Sequence, residues 1–133
     1  MDENVRGGDI NRSGVLAYYG LPLLSNGTAI FVAPNGFNKG WGNSGGEDIL
    51  FFDAMLKAIL EDIYIDLGLV FSIGFSYGGV IFYALICVCP DILRAIVIIS
   101  GAPLSGYSGG TKPVAYYGQY GTLDLALNVL MGR

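Results

Sequence analysis

Apolar and polar positions alternate along the chain in short and long blocks. Residues 28–33 (TAIFVA) are a brief apolar run closed by Pro34-Asn35-Gly36, which predicts a strand ended by a turn. Over 47–63, Ile49, Phe52, Met55, Leu56, Ile59, Leu60 and Ile63 recur every three or four residues. Glu47 and Asp48 open that stretch, where the helix dipole favours acids, so a helix is predicted. Residues 70–73 predict a second strand, 79–88 a helix stopped by Pro90, and 95–99 (AIVII) a strand that is almost wholly β-branched. A further strand is expected over 114–118, and 125–131 opens a last helix. Residues 1–13 are polar and are set apart from a domain spanning 14–133. Strand alternating with helix predicts an α/β fold with a covered, mostly parallel sheet. The site of such a sheet lies at the carboxyl ends of its strands. Asn35, Trp41, Ser76, Ser100 and Asp124 all fall after predicted strands, on that edge.

Ser76 carries the chemistry. It lies in Gly74-Phe75-Ser76-Tyr77-Gly78-Gly79, directly after one strand and directly before one helix. A serine held out on such a bend, between small residues, has an open approach to a carbonyl carbon. The unpaired N–H groups of the helix start, Tyr77 N–H among them, point at any oxyanion that forms. Glycine accounts for 21 of 133 residues, and G-x-S-x-G also occurs around Ser44 and Ser108. Ser44 is separated from its preceding strand by a long Asn/Gly loop, and Ser108 runs into Thr111-Lys112-Pro113, so both read as turns. Asp124 follows Ser76 in the Ser, Asp, His order of a serine hydrolase, and it also precedes an apolar run that an aspartate would cap. The chain contains no histidine, the usual base for such a serine.

Composition narrows the classes. Hydrophobic residues make up 53% and charged ones 14%, as in a packed chain rather than a disordered one. A net charge of −4 with scattered basic residues offers no track for a phosphate backbone, so nucleic acid is not an expected partner. The uncharged stretch 67–90 is long enough to span a bilayer, but its serines and glycines and its switch from strand to helix argue for a buried strand and helix. Cys87 and Cys89, two apart on a predicted helix, point away from each other and are not expected to bond. Met1-Asp2-Glu3-Asn4 is acidic, unlike a signal peptide, and Asn11 and Asn26 head glycosylation triplets. No metal or cofactor is expected, since histidine and clustered acidic ligands are missing.

Four stretches make the chain similar to a known group: FVAPNGFNKGWGNSGGED (31–48), GFSYGG (74–79), SGAPLSG (100–106) and PVAYYGQYGTLD (113–124). From about residue 19 onward it resembles the fungal secreted feruloyl esterases of the α/β-hydrolase fold, related to acetylxylan esterases and polyhydroxybutyrate depolymerases. The resemblance implies a partial three-layer α/β-hydrolase sandwich and an extracellular serine esterase. The implied substrates are feruloylated plant cell-wall polysaccharide or small aromatic esters. It implies Ser76 as nucleophile, Asp124 as triad acid and Tyr77 as an oxyanion donor, with Trp41 and Asn35 bordering the substrate. Trp41 equally suits simple packing over its Gly-rich loop.

The departures matter as well. The family's catalytic histidine lies beyond the point where this chain stops, and its strand ending in a His-Gly loop precedes the matching region. Tyr64 and Tyr107 stand where cysteines are expected, Tyr120 where a histidine is, and Val70 where an arginine is. A truncated or diverged member is therefore expected. Loss of a central strand would leave backbone groups unpaired at about 1–3 kcal/mol each when buried, or would expose apolar edges that self-associate. Lys39, Lys57 and Lys112 are not placed by strand position to replace the base. The alternative to an enzyme is a non-catalytic homologue acting at most as a binding module.

Overall fold

The computed structural model describes residues 17–122 and divides into two compact units, Met1–Lys39 and Gly40–Arg133. In the first unit a tight turn over Ala17–Gly20 leads into the short helix α1, Leu21–Ser25. Pro22 sits at its start, where a missing N–H costs nothing. Asn26 closes it in the left-handed conformation, and the Thr28 hydroxyl donates to the Ser25 carbonyl at 2.6 Å. The strand expected over 28–33 does not form. Among the described residues no strand pairs with this segment, and Ile30 is 54% exposed. β propensity alone, without a ladder or a surface to pack on, does not make a strand.

The second unit carries the sheet. Helix α2, Glu47–Asp62, starts with its two acids in the first turn, and Ile63 N–H closes it on the Ile59 carbonyl. Strand β1 is Phe71–Phe75, helix α3 Tyr77–Val88, strand β2 Ala95–Ile99 and strand β3 Ala115–Gln119. The three strands are parallel in the order β1-β2-β3, with Ser72 opposite Ile96 and Gly74 opposite Ile98, then Ile96 opposite Tyr116. Parallel neighbours need a crossover, and α3 supplies the one between β1 and β2.

Alternation along each strand sorts the side chains by face. Ile96 and Ile98, both fully buried, lie under Ile81, Ala84 and Leu85 of α3, and Ile49 and Phe52 of α2 pack against this cluster. At Gly74 the helix comes in against the strand so closely that a Cβ there would lie 2.1 Å from the Gly78 carbonyl oxygen. The opposite face carries Phe71, Ile73, Phe75, Val97, Ile99 and Tyr117. Phe71 is 62% exposed and Tyr117 60%. Three layers were expected from the sequence. The described residues form two, a parallel sheet with helices on one side.

Candidate active site

The bend between β1 and α3 is built from backbone. Ser76 N–H donates to the Ile99 carbonyl at 2.9 Å, which carries the β1–β2 ladder one residue past the strand. Ser76 then turns with φ 53° and ψ −122°, and its carbonyl accepts from Gly79 N–H at 2.9 Å and Val80 N–H at 3.2 Å as the first helical bonds. A non-glycine residue with positive φ outside the left-handed helical region is strained, and the cost is held by the helix and ladder on either side. The Ser76 side chain does not cap the helix. It is half-buried, with no hydrogen-bond partner for its hydroxyl among the described residues. Tyr77 N–H lies in the first helical turn, where no intrahelical acceptor exists, beside the serine.

Two loops flank this bend. Gly101, just after β2, sits against it: a Cβ on Gly101 would lie 3.3 Å from the Ser76 carbonyl oxygen. Gly40 approaches from the other loop, its Cβ position 4.0 Å from the Tyr77 ring. The Trp41 ring is half-buried against the core cluster, 6.2 Å from the Phe51 ring at 35°. Asn43 and Ser105 join the loops. Asn43 Nδ2 donates to the Ser105 carbonyl at 3.1 Å, and the Ser105 hydroxyl donates to the Trp41 carbonyl. Sequence reasoning passed over both residues. Asn43 stands just ahead of a helix that opens with acids, but nothing local in the sequence marks its contact with Ser105.

The remaining candidates fall elsewhere. Asn35 is exposed in the unit Met1–Lys39. Asp124 lies outside the described residues. Lys57 is paired with Asp53 at 2.7 Å, and that hydrogen bond and charge raise its pKa. Lys112 is paired with Asp91. Cys87 and Cys89 are free thiols: Cys87 donates to the Tyr83 carbonyl, and burial followed by the Asp53 charge raises the Cys89 pKa. On the helix-covered side of β3, the hydroxyls of Tyr83, Tyr116 and Tyr120 hydrogen-bond one another. Burial first, then these bonds, pushes the Tyr83 phenol well above its usual range. Burial also raises Tyr116, and the bond to Tyr120 adds to it. A shallow groove lined by Leu67, Pro90, Arg94 and Val114 lies at the amino ends of the strands, away from Ser76. No helix among the described residues is long and apolar enough to cross a membrane.

A parallel sheet with a strand, a sharp serine bend and a helix defines an α/β protein. No protein-family profile matches the chain. It is 52% identical over its whole length to Feruloyl esterase D of Neurospora crassa, of which it covers 46%. It is 42% identical over 126 residues to Feruloyl esterase C of Emericella nidulans, with 92% of this chain and 47% of that protein matched. Probable feruloyl esterase C of Aspergillus niger is 41% identical over 125 residues, matching 94% of this chain and 45% of that protein. The chain is a relative of the fungal feruloyl esterases, and it spans about half the length of the curated relatives it matches.

Proposed function

We propose that these residues are the nucleophile half of a secreted serine esterase that releases hydroxycinnamic acids from feruloylated plant polysaccharide. The Ser76 bend carries the reading: a half-buried serine in a strained conformation, its hydroxyl unbonded among the described residues and helix N–H groups beside it. Ser76 Oγ attacks the ester carbonyl carbon and gives its proton to a histidine. Asp124 orients that histidine, and Tyr77 N–H with a second backbone donor holds the oxyanion. The ester C–O bond breaks and the alcohol leaves with the proton. Water then cleaves the acyl-serine to release the acid. The histidine is not among these 133 residues, so the complete unit draws it from the rest of a full-length esterase. The Trp41 loop borders the substrate in this reading.

The test is a protein that joins this chain to the flanking regions of its relatives. It should hydrolyse methyl ferulate, and Ser76→Ala should abolish the activity. A folded Ser76→Ala protein with an unchanged rate would overturn the assignment. A second reading, a non-catalytic homologue, draws on the missing histidine and on Lys57 and Lys112 being engaged by acids. In that case the chain self-associates through the apolar sheet face that no described element covers, or binds feruloylated polysaccharide without turnover.

A further inference from the structure

Residues 40–46 include four glycines, Gly40, Gly42, Gly45 and Gly46, and such a loop has little conformational preference of its own. Something external has to fix it. The Trp41 ring anchors one side in the core. On the other, two hydrogen bonds cross between sequence positions 62 and 64 residues apart, each from a side chain of one loop to a backbone carbonyl of the other. Asn43 reinforces the arrangement: its N–H donates to the Asp48 carboxylate at 2.6 Å, and its φ of 50° turns the chain there. Ser105 is 6% exposed and Asp48 4% exposed, so these bonds are shielded from water.

We infer that Asn43 and Ser105 are positioning residues whose reciprocal latch holds the loops 40–46 and 100–106 against Ser76 and Tyr77, and so shapes the rim that receives the acyl part of an uncharged aromatic ester. The latched loops are those that reach the bend between β1 and α3, through Gly101 at Ser76 and Gly40 at Tyr77. Neither loop contains a Lys, Arg, Asp or Glu, which suits a neutral acyl group rather than an anion. The rim's purpose rests on the esterase reading; the latch itself does not.

The test uses the chain in a Ser76→Ala background, so that no turnover intervenes, with two variants that disconnect the latch. Ser105→Ala removes one donor. Asn43→Gly removes the other, together with the acceptor that Asn43 Oδ1 offers Ile49 N–H at 3.4 Å, without straining the positive φ. With far-UV circular dichroism unchanged, amide exchange over 40–46 and 101–106 should quicken about fivefold, the factor for one net hydrogen bond of about 1 kcal/mol. Methyl ferulate affinity, measured by calorimetry, should fall by a similar factor of about five. Ser105→Thr, which keeps the hydroxyl, should stay near the parent in both readouts. Unchanged exchange in both variants overturns the latch. Faster exchange with unchanged affinity overturns its role at the rim. A parent chain with no affinity for methyl ferulate overturns the rim as an acyl-binding surface of this chain, while the exchange data still decide the latch and the esterase reading is decided by the joined protein.

Discussion

Ser76 N–H donates to the carbonyl of Ile99, so the sheet ladder ends on the serine itself rather than on the strand before it. One strand further on the pattern repeats: Ser100 N–H donates to the Gln119 carbonyl at 2.8 Å, and Ser100 also has a positive φ of 50°. Strands β1 and β2 thus each deliver a serine at the carboxyl end in a fixed register to the next strand. The position of Ser76 is a property of the β1–β2 pairing, and loops do not have to set it.

The strain at Ser76 gives a stability prediction opposite in sign to its proposed role. A conformation of this kind costs a side-chain-bearing residue of the order of 1–3 kcal/mol, and glycine escapes most of it. Ser76→Gly should therefore be more stable than Ser76→Ala by about 1 kcal/mol in urea denaturation. Equal midpoints for the two variants would show that the bend is relaxed.

Two neighbouring glycines separate close approach from helix propensity. An alanine Cβ at Gly74 would meet the backbone of Gly78 and Gly79 at 2.1–2.5 Å, and backbone cannot step aside. Gly74→Ala should cost about 3 kcal/mol or more, at the upper end for overpacking. At Gly78 a Cβ meets nothing within 4 Å, so Gly78→Ala should stabilise α3 by up to about 1 kcal/mol. Thermal melts of both variants decide it, and similar losses for the two would refute the tight strand–helix contact.

Periodicity and β-branching made the second unit legible. Residues 95–99 are the strand Ala95–Ile99, 47–63 the helix Glu47–Asp62, and the runs 70–73 and 114–118 are Phe71–Phe75 and Ala115–Gln119. Those segments hold their own packing partners: Ile96 and Ile98 meet Leu85 within the same unit. Residues 28–33 read equally well as a strand and are not one, because a strand's identity depends on a neighbour that its own sequence does not encode. The bend at Ser76 was legible because strand, small residues and helix are adjacent in sequence. Asn43 and Ser105 were not, since their contact spans 62 residues and no local pattern records it.

The tyrosine cluster predicts alkaline sensitivity. Tyr83 and Tyr116 have pKa values raised in the folded state, burial being the leading cause for each. Folding then favours the neutral phenols. Their contribution is whole below the unfolded tyrosine value of about 10 and is lost as pH climbs from there through the raised folded values. The urea midpoint should hold between about pH 7 and 9 and fall above about pH 10, and Tyr83→Phe should remove part of that fall. A midpoint that does not move up to about pH 11 would contradict the raised values.

The sheet face that no described element covers makes the last prediction. Parallel sheets are ordinarily covered on both sides, yet Phe71, Phe75 and Tyr117 stand exposed on this one, beside an edge of β1 that is unpaired among the described residues. Burying one such aromatic is worth about 1.5–3 kcal/mol, so two copies of the chain have reason to meet there. Size exclusion with light scattering should show association that grows with concentration. Phe71→Lys with Tyr117→Lys should shift the chain toward monomer without loss of helix. The same preparation should not turn over p-nitrophenyl acetate in a Ser76-dependent way, because the missing proton acceptor is worth roughly 10²–10⁴-fold. A monodisperse monomer with Ser76-dependent turnover would mean that another residue serves as base and that the apolar face is harmless in water.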